Sequence, residues 1–157
     1  MTISIDTHDV PPPADVAVVD TGLGDANDLA APLHEVRPLG CFARDDSGAV
    51  IGGAVGRTWG DCCELQQLWV APAMRTRGIA SKLVQAFEAH ASMRGCRHFY
   101  LETFSFQAVG FYRKMGYVTA HELDVFPHAI TKHLMRKSLS AHLEASAPQV
   151  HRPQCHR

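Results

Sequence analysis

The chain has 157 residues, 46% of them hydrophobic and 20% charged, which suits one globular domain of ordinary size and excludes wholesale disorder. A formal net charge of -1 argues against a nucleic-acid protein that relies on a broad basic surface. No apolar run reaches the ~18 residues needed to span a bilayer, and Met1 to Val10 lacks the basic segment and apolar core of a secretory leader.

In chain order, Thr2-Ile3-Ser4-Ile5 reads as a short edge strand that runs into a rigid Pro11-Pro12-Pro13 linker. Residues 16–36 are ambiguous between helix and loop, with Gly22 and Gly24 expected to break any long helix. Cys41 to Arg44 reads as a strand, Asp45-Asp46-Ser47-Gly48 as a hairpin turn, and Ala49 to Arg57 as the partner strand. A second turn at Trp59-Gly60-Asp61 leads to a third strand, Cys63 to Val70, which Pro72 ends. After a loop reaching Gly78, the residues Ile79, Leu83, Val84, Phe87 and Ala91 recur at helical spacing, with Gly95 as the stop. His98 to Phe104 is a β-rich apolar run. Gln107 to Lys114 reads as a short helix closed by Gly116, and Tyr117 to Leu123 and Thr131 to Leu139 as two further strands. Residues 1–140 form a single domain of the α+β (mixed α/β) class, and residues 141–157 lose the pattern and read as a tail that is a candidate for disorder.

Five cysteines are present, an odd number, with Cys62 and Cys63 adjacent and no CxxC pair. Neither a disulfide framework nor a structural zinc site is signalled, and reduced, mostly buried thiols in a cytoplasm are expected. The ten histidines show no HExxH spacing, so no metal site is expected of them; His151, Cys155 and His156 crowd the tail, and His121, His128 and His133 lie in or between the last strands. Val16 to Asn27 hints at a dinucleotide fold through Gly22-Leu23-Gly24, but the third small residue is missing and no convincing amphipathic helix follows.

The informative turn is Arg75-Thr76-Arg77-Gly78-Ile79-Ala80, between a strand end and a helix start. Backbone N–H groups at a helix N-terminus are unpaired and partly positive, so such a turn can hold a phosphate or pyrophosphate. Gly78 lets the backbone approach closely, Ala80 keeps the passage open, and Arg75 and Arg77 add charge. No Gly-Lys-Ser/Thr ending follows, so this is not a Walker A loop. Read locally, an ordinary loop with two solvated arginines fits as well.

Leu68-Trp69-Val70-Ala71-Pro72, then Arg75-x-x-Gly78-x-Ala80, then Phe111-Tyr112-Arg113-Lys114-Met115-Gly116-Tyr117 resembles the GNAT superfamily of acetyl-CoA-dependent N-acetyltransferases. The motif-bearing part is 64–117 and the wider pattern covers 39–138. The resemblance implies a central, mostly antiparallel sheet, splayed in the middle and flanked by helices. It implies that main-chain groups around Leu68, Trp69 and Val70 bind the pantetheine arm, and that Arg75, Arg77, Gly78, Ile79, Ala80 and Ser81 surround the pyrophosphate of acetyl-CoA. Tyr112 occupies the family's general-acid position. Glu64, six residues before Val70, matches the base of one branch, and Glu102 is the second candidate; in other branches ordered waters relay the proton. Many relatives carry an asparagine where this chain has Ser105, and Gln107 is a candidate for the missing cofactor contact. Phe104 either walls the acceptor pocket or fills the core, with core favoured, and His128 is a candidate neighbour of the acceptor.

The function implied is transfer of acetyl from acetyl-CoA to a primary amine by direct attack, with no metal and no nucleic-acid or membrane partner. The alternative is a non-catalytic acyl-CoA-binding or regulatory module. Small-molecule amines, including antibiotics or polyamines, compete with protein N-termini and lysines as acceptors. The N-terminal region should help shape the acceptor pocket but carries no dense acidic cluster that would announce a polycation. Homodimers are common among proteins of this resemblance, although nothing in the sequence marks an interface.

Overall fold

The alternation between Arg37 and Val70 becomes three antiparallel strands, β1 (Arg37–Arg44), β2 (Val50–Trp59) and β3 (Cys62–Val70). The structure is a computed structural model and describes residues 2–139; the tail from 141, with Cys155, His151 and His156, lies outside the described residues. Helix α2 (Ile79–Met93) follows, then β4 (His98–Phe104), the short α3 (Val109–Lys114), β5 (Val118–Leu123) and β6 (Lys132–Ser138). The six strands form one sheet in the order β1-β2-β3-β4-β6-β5, antiparallel except where β3 meets β4. This is the α+β architecture expected.

Side chains alternate across the sheet. Gly52, Ala54, Gly56 and Thr58 of β2 are buried on the inner face, the one that carries α2, while Arg57 and Trp59 point to the outer face. Helix α2 buries Leu83, Val84, Phe87 and Ala91, a stripe that meets Ala54, Cys63, Leu65, Phe99, Leu101 and Met135 from the strands. Phe87 is fully buried there, a contribution of roughly 1.5–3 kcal/mol for one such side chain. The helix ends with Arg94 at its C-cap and Gly95 in the left-handed region at φ 93°. Arg94 Nη1 donates to the Pro38 carbonyl at 3.0 Å and Thr58 Oγ1 at 3.2 Å, tying that end to β1 and β2. Glu88, midway along α2, accepts from Tyr117 at 2.8 Å and Lys137 at 2.6 Å, so one partly buried carboxylate joins α2 to the β5–β6 side.

Two expectations for the N-terminus are corrected. Residues 2–12 form no strand; alternation over Thr2 to Ile5 finds no partner ladder, and a lone strand has nothing to bond. Instead of breaking at its glycines, the chain from Pro13 to Ala30 is a continuous helix, α1. Proline at the first helical position and Asp15 in the first turn favour its start. Each glycine costs about 1 kcal/mol against alanine without forbidding the helix. None of its residues is buried. It leads through a 3₁₀ turn, Leu33–Glu35, into β1.

Candidate active site

Strands β3 and β4 pair only over Cys62↔His98 to Leu65↔Leu101. Beyond that point their facing edges separate, leaving the main chain of Gln66 to Val70 opposite that of Glu102 to Phe104 with no ladder between them. The cause lies in β2. Its register against β3 jumps from Val55↔Gln67 to Gly56↔Leu65, so Gln66 is an extra residue, a bulge that bends β3 away. Gly56 permits the bend, because a Cβ there would lie 1.9 Å from the Glu64 carbonyl oxygen and 2.9 Å from Phe87. The resulting wedge offers unpaired strand edges to an extended ligand, the geometry of β-augmentation.

On the inner side, the wedge leads to the N-terminus of α2. Gly78 precedes the helix at φ 73°, Thr76 also takes a left-handed conformation at φ 64°, and no side chain caps the helix. Lys82 is the first residue to donate back, to the Gly78 carbonyl, which leaves the preceding N–H groups to meet a ligand or water. A cavity of about 250 Å³ lies there, lined among others by Val70, Arg75, Gly78, Ala80, Ser81 and Phe111. Arg75 donates from Nε to the Val70 carbonyl at 3.1 Å, which fixes this guanidinium against the strand end; Arg77 is exposed and does not line the cavity. Leu68 and Val70 turn inward, and Trp69 outward, half exposed.

Tyr112, on α3, is buried in the same inner layer, edge-to-face with Phe111 at 5.2 Å and Tyr117 at 5.9 Å. Desolvation alone pushes its phenol up to about 12, and like any phenol it is protonated at neutral pH.

The outer face holds a second cavity, about 460 Å³, lined by Leu33, Val36, Arg57, Trp59, Cys62, Glu64 and Tyr100. The strand registers place Arg57, Glu64 and Tyr100 side by side across β2, β3 and β4. Arg57 Nε donates to Glu64 Oε2 at 2.6 Å, and Gln66 Nε2 donates to the same oxygen at 3.3 Å. Burial, and then the Glu64 charge, pushes the Tyr100 phenol above its ordinary value. Glu64 thus sits one residue before the last β3–β4 pair, at the apex of the wedge and inside this cavity.

The other expected residues fall as follows. Glu102 lies just past the apex on β4, half exposed and paired with Lys132. Gln107 uses its carbonyl oxygen locally, accepting from Phe104 N at 2.8 Å and Thr103 Oγ1 at 3.2 Å, so its side-chain amide alone is left for a ligand. Ser105 Oγ accepts from Thr131 N at 3.1 Å. Phe104 does not join the buried core, contrary to the favoured reading: it stacks on Phe106 at 5.5 Å and meets Phe126 edge-on, in an aromatic group near the surface. His128 is exposed in the β5–β6 connection, in the left-handed region at φ 60°. Neither Phe104 nor His128 is among the described residues lining the Glu64 cavity. His133 is buried with Nδ1 3.2 Å from Glu122, without hydrogen-bonding geometry. The four described cysteines are unpaired, and burial pushes Cys63 up to about 12. No helix among the described residues is long and apolar enough to cross a membrane.

Sequence reading missed Arg57, Trp59, Tyr100, Leu33 and Val36. For Arg57 a signal existed: the tight turn at Gly60-Asp61 pairs Trp59 with Cys62 and so sets Arg57 opposite Glu64.

A sheet wedged open between two parallel strands thus has a bare helix N-terminus on one side and a carboxylate-bearing cavity on the other. Residues 11–117 match the acetyltransferase (GNAT) family. A blasticidin-S acetyltransferase from Streptomyces morookaense is 37% identical over 112 residues, covering 69% of this chain and 82% of the relative. The crystal structure of a putative acetyltransferase from Agrobacterium tumefaciens superposes with a TM-score of 0.75 at 27% identity, covering 87% of this chain and all of that one. An aminoglycoside 6'-N-acetyltransferase solved with coenzyme A shares the fold, with a TM-score of 0.56 at 21% identity over 65% of this chain and 73% of that one. The chain belongs to the GNAT acetyltransferase family and is an acyltransferase enzyme.

Proposed function

We propose that the protein transfers acetyl from acetyl-CoA to the amine of a small molecule by direct attack, with Glu64 as base and Tyr112 as acid. The observation that carries this is the wedge apex: a carboxylate cavity opens on the outer face, and the helix N-terminus and a buried tyrosine lie on the inner one. The inner residues suit acetyl-CoA. Free N–H groups at Ile79 to Ser81, the open Gly78 turn, and Arg75 and Arg77 match a pyrophosphate, and the separated edge of Leu68 to Val70 matches an amide-bearing arm. Ser81 lines that cavity, while Gln107, with its carbonyl oxygen occupied, has only its amide to offer.

Acetyl-CoA, when bound, supplies a thioester whose thiolate departs as the amine attacks. An amine of ordinary pKa, ~10, arrives protonated at pH 7, and Glu64 can take the proton directly or through a water. Glu64 is favoured over Glu102 because it lines the outer cavity and is 20% exposed, whereas Glu102 is 53% exposed and lines neither cavity; each is paired with one cation. Tyr112 is protonated at neutral pH and can give its proton to the thiolate, and the second proton lost by the acylated nitrogen restores the phenol. A small-molecule acceptor suits the volume of the outer cavity, about 460 Å³, and the name of the Streptomyces relative points the same way.

The test is thiol release from acetyl-CoA across a panel of amines, with the acetylated product confirmed by mass. Amine-dependent release supports the reading. Acetyl-CoA binding without turnover on any amine would sink it.

A further inference from the structure

Resting on the acetyltransferase reading, we infer that the acceptor is an amine that also carries a carboxylate, and that Arg57 selects for it. Among the described residues lining the outer cavity, Glu64 is the single carboxylate and Arg57 the single cation. Their contact is one-point: Nε of Arg57 donates to Oε2 of Glu64, and the Tyr100 hydroxyl is the guanidinium's other polar neighbour. The arginine side chain is 51% exposed although it borders the cavity. A guanidinium held through Nε presents its other edge as a planar two-donor fork, the shape that receives a carboxylate with two parallel bonds. Glu64, one strand away in direct register, receives the ammonium end. Opposite charges side by side on one cavity floor are the complement of a zwitterion.

The walls set the rest of the acceptor. Trp59 follows Arg57 by two residues on the same face of β2, Tyr100 lies beyond Glu64, and Leu33 and Val36 close the cavity from the turn after α1. A flat or apolar body between the two charged ends fits such walls. A net anion is disfavoured at this mouth. Glu35 lies between the two lining residues of that turn, so with Glu64 the carboxylates there outnumber the one guanidinium. The acceptor's carboxylate is therefore balanced by its own ammonium.

The experiment compares matched pairs: α-, β- and γ-amino acids with aromatic or aliphatic bodies, each beside its methyl ester, assayed for thiol release with the full-length enzyme. For the best-accepted skeleton the free acid is expected to exceed the ester in kcat/KM by about tenfold or more, equivalent to ~1.4 kcal/mol. In Arg57→Gln that ratio is expected to fall to near one. Loss of the Nε contact to Glu64 slows both members of a pair and cancels in the ratio, so the ratio reads the carboxylate contact alone; a melting curve confirms that the variant is folded. An acid-to-ester ratio near one in the unmodified enzyme, with amines being acetylated, overturns the inference and leaves the acetyltransferase reading standing. A preference for the acid that survives in Arg57→Gln also overturns it. Absence of turnover on every amine overturns the reading of function and this inference together.

Discussion

Replacing Tyr112 with phenylalanine removes one oxygen and leaves the ring contacts with Phe111 and Tyr117 in place. The phenol is perturbed by desolvation alone, with no hydrogen bond or neighbouring charge contributing, so little folding energy rests on its hydroxyl. The native stability of Tyr112→Phe at pH 7 should therefore lie within roughly 1 kcal/mol of the parent. Catalysis should respond far more, since a positioned general acid contributes typically ~10²–10⁴-fold. The expected result is a kcat lower by about a hundredfold or more in the thiol-release assay, with the KM for acetyl-CoA changed by less than about threefold. The pH dependence follows from the same burial. The folded phenol titrates at about 12 against ~10 in the unfolded chain. Its contribution is thus fully present below pH ~10 and is lost as the pH climbs toward 12, because the unfolded chain releases its proton first. Between those values the parent should lose up to roughly 2–3 kcal/mol that Tyr112→Phe retains. Urea titrations of both proteins at pH 8 and 11 read this difference. A Tyr112→Phe enzyme with kcat within twofold of the parent would refute the acid role, and parallel alkaline losses would refute the desolvation argument.

The two carboxylates at the apex should separate. Glu64→Gln is expected to lower kcat by about a hundredfold or more, and Glu102→Gln, which breaks an exposed pair with Lys132, by less than about threefold; the reverse order would move the base to β4. Gly78→Ala meets no atom within 4 Å but forces a side chain onto a φ of 73°. Strain of roughly 1–2 kcal/mol in the turn should raise the KM for acetyl-CoA several-fold while the acceptor KM holds; an unchanged acetyl-CoA KM would remove this turn from the cofactor site. Gly56→Ala places a Cβ 1.9 Å from the Glu64 carbonyl, so the bulge must shift, with an expected loss of roughly 1–3 kcal/mol or more in a denaturant titration. Parent-like stability there would mean that the bend in β3 does not depend on this glycine.

Much of this is legible in the amino-acid sequence, for reasons that differ by element. Helix α2 carries an amphipathic stripe with a glycine at each end, and those local signals coincide with its packing in the fold. The same holds for β4, whose predicted limits, His98 to Phe104, are the observed ones. Helix α1 was harder to read because nothing buries it: with no residue in the core there is no hydrophobic period to detect, and two glycines argued the wrong way. The outer cavity escaped notice because its residues come from four separate places, at 33–36, 57–59, 62–64 and 100, and only the sheet register brings them together. Phe104 was misjudged for a related cause. An aromatic in an apolar strand reads as core, yet its position on the strand puts it on the outer face, where Phe106 and Phe126 are its company.

The same geometry lets the proposed acid and base act without touching. Alternation along β3 and β4 sends Glu64 and Tyr100 to the outer face and Leu65, Leu101 and Thr103 to the inner one, where α3 brings Tyr112 into the core. In a fully paired sheet those two faces would be sealed from each other by backbone. The bulge at Gln66 comes one residue after the last β3–β4 pair, so the sheet opens where the carboxylate sits. In the proposed reaction Glu64 then takes a proton from the amine on one side and Tyr112 gives its own to the thiolate on the other. Gly56, silent in any motif, matters to the proposed chemistry because it is the residue against which β3 can bend.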